Sequence, residues 1–408
     1  MAEHAHPEPP KPEVFKQSDT GGWPMLLLGG AALGVVISLI YLFVSPHTRE
    51  QFAFSWLFAF MYFFTLCVGA LFWVLVHHAT DAEWSVTVRR VLEQIASLIP
   101  IAFAFFIPLL FCAPILWHWW NSTTLLSVVP GADPLLWKKW PYLTHGFFWG
   151  RLIFYFVALT GIALSLRRNS MAQDANGDPR YTLSNRKLGI AGIPLMAVSL
   201  TFGAVDWLMG LDYRWVSTMW GVYIFAGAAG SSMSLLVLIV TSLRSKGYLR
   251  NVVTLEHYHI MGKWMLAFTI FWAYIGFSQY MLIWYANVPE ETSYFIRRNI
   301  ESWNWLSTIL VVFRFFVPLP ILLLQWTKKT MPMICTIAGL VLLMQLLDIY
   351  VIVMPMLHKT GFRPSLMDIA GLLTIGCPLA FFFLRRLSSG NLFPIRDPRL
   401  AESLRLTN

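Results

Sequence analysis

The chain alternates between long apolar runs and short polar gaps. Ten runs reach transmembrane length, at roughly 23–44, 51–77, 91–116, 147–166, 188–210, 216–242, 260–286, 303–326, 331–356 and 364–384. A backbone in hydrocarbon must satisfy its own hydrogen bonds, so each run is predicted as a helix and the fold as an all-α polytopic membrane protein. Residues 1–22 are polar and proline-rich and are expected to form a tail, disordered or held against a partner. Residues 23–385 form the membrane domain and 386–408 a C-terminal tail. The first 20 residues contain no apolar h-region, so no cleavable signal peptide is expected.

The seventh span is the least uniform. Within Lys263–Glu291 it carries Tyr274, Ser278, Gln279, Tyr280 and Tyr285 among apolar residues. Tyr274, Ser278, Met281 and Tyr285 fall on one stripe at 100° per residue. Lipid offers nothing to hydrogen-bond, so the stripe is expected to face other helices or a hydrated cavity. Interhelical hydrogen bonding and a hydrated path both account for it. Asn287-Val288-Pro289-Glu290-Glu291 then ends the helix at the water boundary.

Charges inside spans suggest a repeat. With spans one and ten set aside as peripheral, spans 2–5 carry Arg151 on their third helix and Asp206 on their fourth. Spans 6–9 carry Arg314 on their third and Asp348 on their fourth. Arg151 and Asp206 each lie about 6 Å from the outer ends of their spans, Asp348 about 12 Å in and Arg314 about 17 Å in. An arginine side chain can bridge that last gap. An unpaired charge at such depth costs roughly 2.5–3.5 kcal/mol even on the mildest insertion scale. Two buried Arg/Asp pairs and two four-helix bundles are therefore expected. Each pair is either a structural clamp or an aspartate on a proton or quinol path.

Composition agrees with this class. The 408 residues are 57% hydrophobic and 12% charged, with a mean hydropathy of +0.60, far from the balance of a soluble domain. The net charge of +9 would suggest nucleic acid in a soluble protein; here it reads as basic loops and no nucleic-acid partner. Of the 30 Lys and Arg, 19 (Arg89 and Arg90 among them) fall on the tails and even-numbered gaps, eight on the opposite side, and Arg151, Lys263 and Arg314 in or at the edges of spans. Both termini are therefore expected to be cytoplasmic. The loop 117–146 holds five tryptophans and is expected along the outer interface as an aromatic belt. Ala226/Gly230 and Gly227/Ser231 are small-xxx-small pairs that let helices approach closely.

Candidate chemistry at the basic side comprises His77 and His78, Glu93 one turn into span three, and Lys263 with His257 and His259. Histidines titrate near neutral pH, so His77, His78, Glu93 and Lys263 could form the mouth of a proton inlet. Neighbouring histidines do not share a helix face, which disfavours a metal site. His4 and His6 make a lone H-x-H in the tail. Cys67, Cys112, Cys335 and Cys377 lie apart in apolar runs with no haem, iron–sulfur or zinc spacing, so any redox cofactor is expected on a partner.

Three stretches carry a resemblance: FWAYIGFSQYMLIWYANVPEE on span seven, FGAVDWLMGLDYRWVSTMWGVYIFAG across spans five and six, and HHATDAEWSVTVRRVLE after span two. They resemble the NrfD-like (polysulfide reductase membrane subunit) superfamily over roughly residues 23–385. Within it they resemble membrane subunits of alternative complex III, the bacterial quinol:cytochrome c oxidoreductase, and the ActF type rather than the ActC type. The resemblance implies ten helices with two four-helix bundles and a place in the bacterial inner membrane. It implies quinol, menaquinol above all, as the substrate of the complex. Haem c and iron–sulfur clusters would sit on partner subunits, beside a paralogous membrane subunit, with no metal or catalytic residue in this chain. The matched positions are Asp206, Tyr274, Ser278, Gln279, Glu290 and Glu291. One departure is Phe313-Arg314-Phe315, where the family carries a histidine-containing G-H-F. Arginine holds a charge but does not relay protons by titrating.

Three readings follow. In the first, the chain is a membrane subunit without a redox cofactor, supplying an assembly surface and a proton half-channel from His77, His78, Glu93 and Lys263 towards Tyr274 and Ser278, with Asp206 and Asp348 beyond. In the second, it binds quinol itself, using Asp206, Trp207 and Tyr223. In the third, it is a stand-alone secondary transporter, against which the prolines of spans three and eight do not occupy matching places.

Overall fold

The computed structural model describes residues 10–125 and 134–407. His4, His6 and the first part of the tail lie outside the described residues. Ten helices are long and apolar enough to cross a membrane: α1 Trp23–Val44, α2 Pro46–Ala79, α3 Glu83–Phe111, α4 His145–Asn176, α5 Arg180–Leu211, α6 Trp220–Ser245, α7 Leu255–Ala286, α8 Glu301–Leu323, α9 Met331–Met356 and α10 Leu366–Leu387. The protein is thus an all-α polytopic membrane protein. Several helices overrun their apolar runs, because hydropathy marks where a helix meets lipid, not where its backbone stops. α4 continues through Arg167–Asn176 until Gly177, whose left-handed backbone (φ 71°) terminates it.

The helices pack as two similar rings. In the first, α2 packs on α3 and α5, and α4 on α3 and α5; in the second, α6 packs on α7 and α9, and α8 on α7 and α9. α1 lies against α10, and α10 against α2. The seam between the rings is the contact of α2 with α6. A Cβ on Gly69 would fall 2.1 Å from the Ala228 carbonyl oxygen, so only glycine permits this approach. Trp73 Nε1 donates to the Ala229 carbonyl at 2.9 Å across the same seam.

Two spans are broken, and proline explains both. α3 divides into Val86–Ala96, Ile99–Ala104 and Ile107–Phe111, with Pro100 and Pro108 near the starts of the later pieces. In α8, Pro318 and Pro320 lack the N–H groups that would bond the Arg314 and Phe316 carbonyls, and the preceding turn Val312–Phe316 widens into a π-helix. The breaks fall on the second helix of one ring and the third of the other. α7 ends at Ala286 with Asn287 in the left-handed conformation (φ 49°), and Pro289 opens a new helix, Pro289–Arg298, instead of only closing the old one.

The terminal segments differ from expectation. Residues 10–22 are not loose: the Leu392 N–H donates to the Glu13 carbonyl at 2.8 Å, Val14 pairs with Asn391, and Phe15 is buried against Tyr248. The C-terminal segment is a strap, burying Leu392, Phe393, Leu400 and Ser403 over the end of the bundle that carries both termini. The tryptophan loop also departs from a belt. Trp117 and Trp119 are fully buried against Phe148, with the Trp117 indole N–H on the Trp207 carbonyl at 3.3 Å.

Candidate functional site: two buried carboxylates and a terminal charge network

Both predicted ion pairs form. Arg151 grips Asp206 through two parallel bonds, Nε to Oδ2 at 2.9 Å and a terminal nitrogen to Oδ1 at 2.8 Å. The Tyr155 hydroxyl donates to Asp206 Oδ2 at 2.8 Å. The remaining arginine nitrogen bonds the Tyr142 carbonyl at 2.9 Å, and the guanidinium lies over the Tyr142 and Phe147 rings.

The second pair repeats this chemistry with different parts. Arg314, buried on the π turn, donates to Asp348 Oδ2 at 2.8 Å. Trp272 Nε1 bonds the same oxygen at 3.0 Å, and the Tyr223 hydroxyl bonds Oδ1 at 2.6 Å. Arg314 also donates to Gln345 and lies 4.4 Å from the Trp272 ring centroid. Gly227 of α6 leaves room for it, since a Cβ there would meet Gln345 at 2.7 Å and Arg314 at 3.1 Å. Each carboxylate thus accepts from one arginine and one tyrosine.

The quinone pocket expected of Asp206, Trp207 and Tyr223 is not assembled. Tyr223 belongs to Asp348, in the other ring. Trp207 is a plug: Phe60, Phe64, Phe106 and Phe156 surround it and fill the space beside Asp206. The equivalent place in the second ring is open. A cavity of about 810 Å³ lies there, with Tyr223, Trp272, Gln279, Arg298, Phe315 and Asp348 among its walls.

The stripe of α7 points the other way from expectation. Tyr274 and Tyr285 are 63% and 82% exposed, and Met281 is exposed with them. The Ser278 hydroxyl bonds the Tyr274 carbonyl of its own helix. The buried face of α7 is Trp272, Ile275, Gln279 and Ile283. In a bilayer both sides of a helix are apolar, so the few polar residues do not reveal which side is inward. Gln279 alone of the matched α7 positions is buried, accepting from Ser217 Oγ at 2.7 Å. Glu291 lies on the distal helix Pro289–Arg298; the Glu290 side chain lies outside the described residues.

At the terminal end, His77, His78 and Glu93 come together, but Lys263 does not join them. It is exposed on α7, near His259 and Lys328. The cations of the cluster are Arg89 and Arg90, which are buried residues rather than loop charges. Arg90 Nε lies 3.2 Å and Arg89 Nε 3.5 Å from Glu93, and His78 Nε2 lies 3.9 Å from it. Arg89 also pairs with Asp397 of the strap, Arg90 with Asp174 at 3.0 Å, and Arg399 with Asp81 at 2.9 Å. His77 lies between the Trp73 and Trp84 rings. Both ring nitrogens of His77 and His78 and both oxygens of Glu93 are buried without a hydrogen bond within the chain. Such clustered orphans are where ordered water sits in native proteins.

Two acidic residues were missed by sequence reading. Asp397 was passed over in a tail. Asp368 sits near the start of α10, accepting from Ser55 at 2.6 Å, Gln51 at 3.2 Å, Tyr350 at 3.2 Å and the Ser365 N–H at 2.9 Å. The capping-box spacing Ser365-x-x-Asp368 was its available signal.

Burial alone would raise the Asp397 carboxyl, but Arg89 and Arg399 outweigh it and hold it well below the usual carboxylate range. A carboxyl depressed in the folded state stabilises fully above its unfolded value, about 3.9, and loses that contribution as pH falls through the folded value. The strap is therefore expected to stay docked at neutral pH and down to about pH 5, and to loosen only in stronger acid. Hydrogen exchange of residues 388–407 across pH checks this; release already between pH 7 and 5 would contradict it.

Among the described residues, no three His, Cys, Asp or Glu side chains converge as a group able to hold a metal. The fold and these sites define the class, a multi-pass helical membrane protein with charge pairs embedded in both of its helical rings. No protein-family model matches the chain, and no curated protein sequence matches it.

Proposed function

We propose that this chain is a membrane subunit, without a redox cofactor of its own, of a bacterial quinol:cytochrome c oxidoreductase, similar to the ActF type of alternative complex III. It would sit in the inner membrane with both termini cytoplasmic. Its partners would be a paralogous NrfD-like subunit, an iron–sulfur protein and haem c subunits, with quinol as substrate of the assembly. The observation that carries this reading is the outward stripe of α7, the segment in which the resemblance is most specific. Tyr274 lies about 18 Å from the distal end of its helix, near mid-bilayer depth. Its hydroxyl has no hydrogen-bond partner in the described chain, and stranding a hydroxyl in hydrocarbon costs roughly 2–7 kcal/mol. A neighbouring transmembrane subunit would supply the missing acceptor. The like-wired rings, each with an Arg–Asp–Tyr site, support the doubled-bundle part of the reading.

The terminal-end cluster supports a proton inlet confined to that end. His77, His78 and Glu93 supply buried polar atoms with unused hydrogen-bonding capacity, where water can order. Tyr274 and Ser278 do not continue the path, since they face outward.

Co-purification tests the assignment. The native chain is expected to bring haem c with it. Truncating Tyr274 and Tyr285 together to alanine is expected to weaken assembly by about 2 kcal/mol, roughly 30-fold, with the chain's own melting unchanged. A chain that isolates alone, or a variant retaining all its haem c, would sink the proposal.

A further inference from the structure

The second ring has a side opening. α7 packs on the later half of α8 and on the turn Gln325–Lys329, whereas the first half of α8, Glu301–Val311, packs on α9. The two helices thus splay towards the end opposite the termini, and the 810 Å³ cavity lies between them. Its mouth carries exposed Asn304, Thr308 and Val311 from α8 and Phe277 and Tyr280 from α7.

Polar groups are distributed unevenly along this slot. At depth, Asp348 already accepts from Arg314, Trp272 and Tyr223, and its carboxylate opposes an anionic head inserted there. At the boundary between α7 and α8 the cation Arg298 lines the slot. Its three bonds go to backbone carbonyls of Val351, Ile352 and Tyr294, two of them at the end of α9. No carboxylate among the described residues lies within ion-pair distance of it. A guanidinium has five N–H donors, so two remain for a ligand. The slot therefore offers a cation at interface level and aromatic and aliphatic walls (Trp272, Phe277, Phe315, Leu310) below.

We propose that this slot holds one anionic phospholipid of the bilayer, with its phosphate at Arg298 and Asn304 and an acyl chain between the outer halves of α7 and α8. The order of polar rim above apolar shaft matches a phospholipid. An anionic head at the inner end would face the Asp348 carboxylate instead of a cation. The slot belongs to this chain alone, so the proposal does not depend on the assembly described above.

Native mass spectrometry of the purified full chain, offered phosphatidylglycerol or phosphatidylcholine with identical acyl chains, tests it. One phosphatidylglycerol per chain is expected to survive conditions that strip bulk detergent and lipid, with phosphatidylcholine at least tenfold less retained. Val311→Trp is expected to block the mouth and lower phosphatidylglycerol occupancy at least tenfold at unchanged melting temperature. Thr308→Trp, one turn nearer the boundary, repeats the block if the first variant does not fold. Arg298→Lys, which keeps the charge but loses the fork, is expected to reduce the preference for the anionic head. Equal retention of both lipids by the native chain, or undiminished retention in the folded blocked variants, would overturn the proposal.

Discussion

Replacing Asp348 by alanine is expected to cost about 3–5 kcal/mol, enough to leave little folded protein in detergent. The loss comes less from the missing attraction than from what remains behind. Arg314 would keep its charge, walled in by α6, α7 and α9, and the Tyr223 hydroxyl and Trp272 N–H would lose their acceptor. Removing both charges with apolar residues of similar size, as in Arg314→Met with Asp348→Leu, is expected to recover a large part of that cost. An apolar pair avoids the desolvation that an ion pair must offset. Thermal unfolding of the two single variants and the double variant in one detergent gives the coupling directly. If Asp348→Ala melts like the native chain, the pair is not what holds the second ring closed.

The second large effect is expected at the other end of the molecule. Arg89 bridges Glu93 of α3 and Asp397 of the strap. Arg89→Met would leave two carboxylates facing each other without their shared cation, and about 3–5 kcal/mol is again the expected scale. Here the damage is local, because the strap can lift away and let water reach Glu93. Limited proteolysis is expected to cut between residues 388 and 407 in the variant and not in the native chain. Asp397→Asn should do the same more weakly, since Arg89 keeps Glu93 and Arg399 keeps Asp81. Full protection of the strap in Arg89→Met would show that its apolar anchors, Leu392, Phe393 and Leu400, suffice without the charges.

These two sites differ in how visible they are from sequence. A charge within an apolar span has few ways to be satisfied, so Arg151 with Asp206 and Arg314 with Asp348 could be matched from depth alone. The ten spans were visible for the same reason, since apolar runs of that length have one common explanation. Direction was not visible. Tyr274 and Ser278 lie on a real stripe, but periodicity fixes only that they share a face, and lipid removes the usual contrast between a wet side and a dry side. Tyr223 misled by proximity: it follows Asp206 by a short stretch of chain, yet that stretch crosses from one ring to the other. Trp207 was rightly seen as an aromatic neighbour of Asp206 and wrongly as a cleft wall, because packing density cannot be read from composition. Arg89 and Arg90 look like ordinary boundary charges, and only the fold of residues far along the chain covers them.

That covering has a temporal side. Arg89, Arg90 and Glu93 are synthesised early, whereas Asp397 and the residues around it leave the ribosome only after the tenth helix. Until then the nascent polypeptide displays an unsealed patch of charge beside the membrane, together with the apolar surface that Phe393 will occupy. A quality-control protease can therefore distinguish an incomplete product from a finished one at this place, and truncation before residue 390 should shorten the protein's lifetime in the cell.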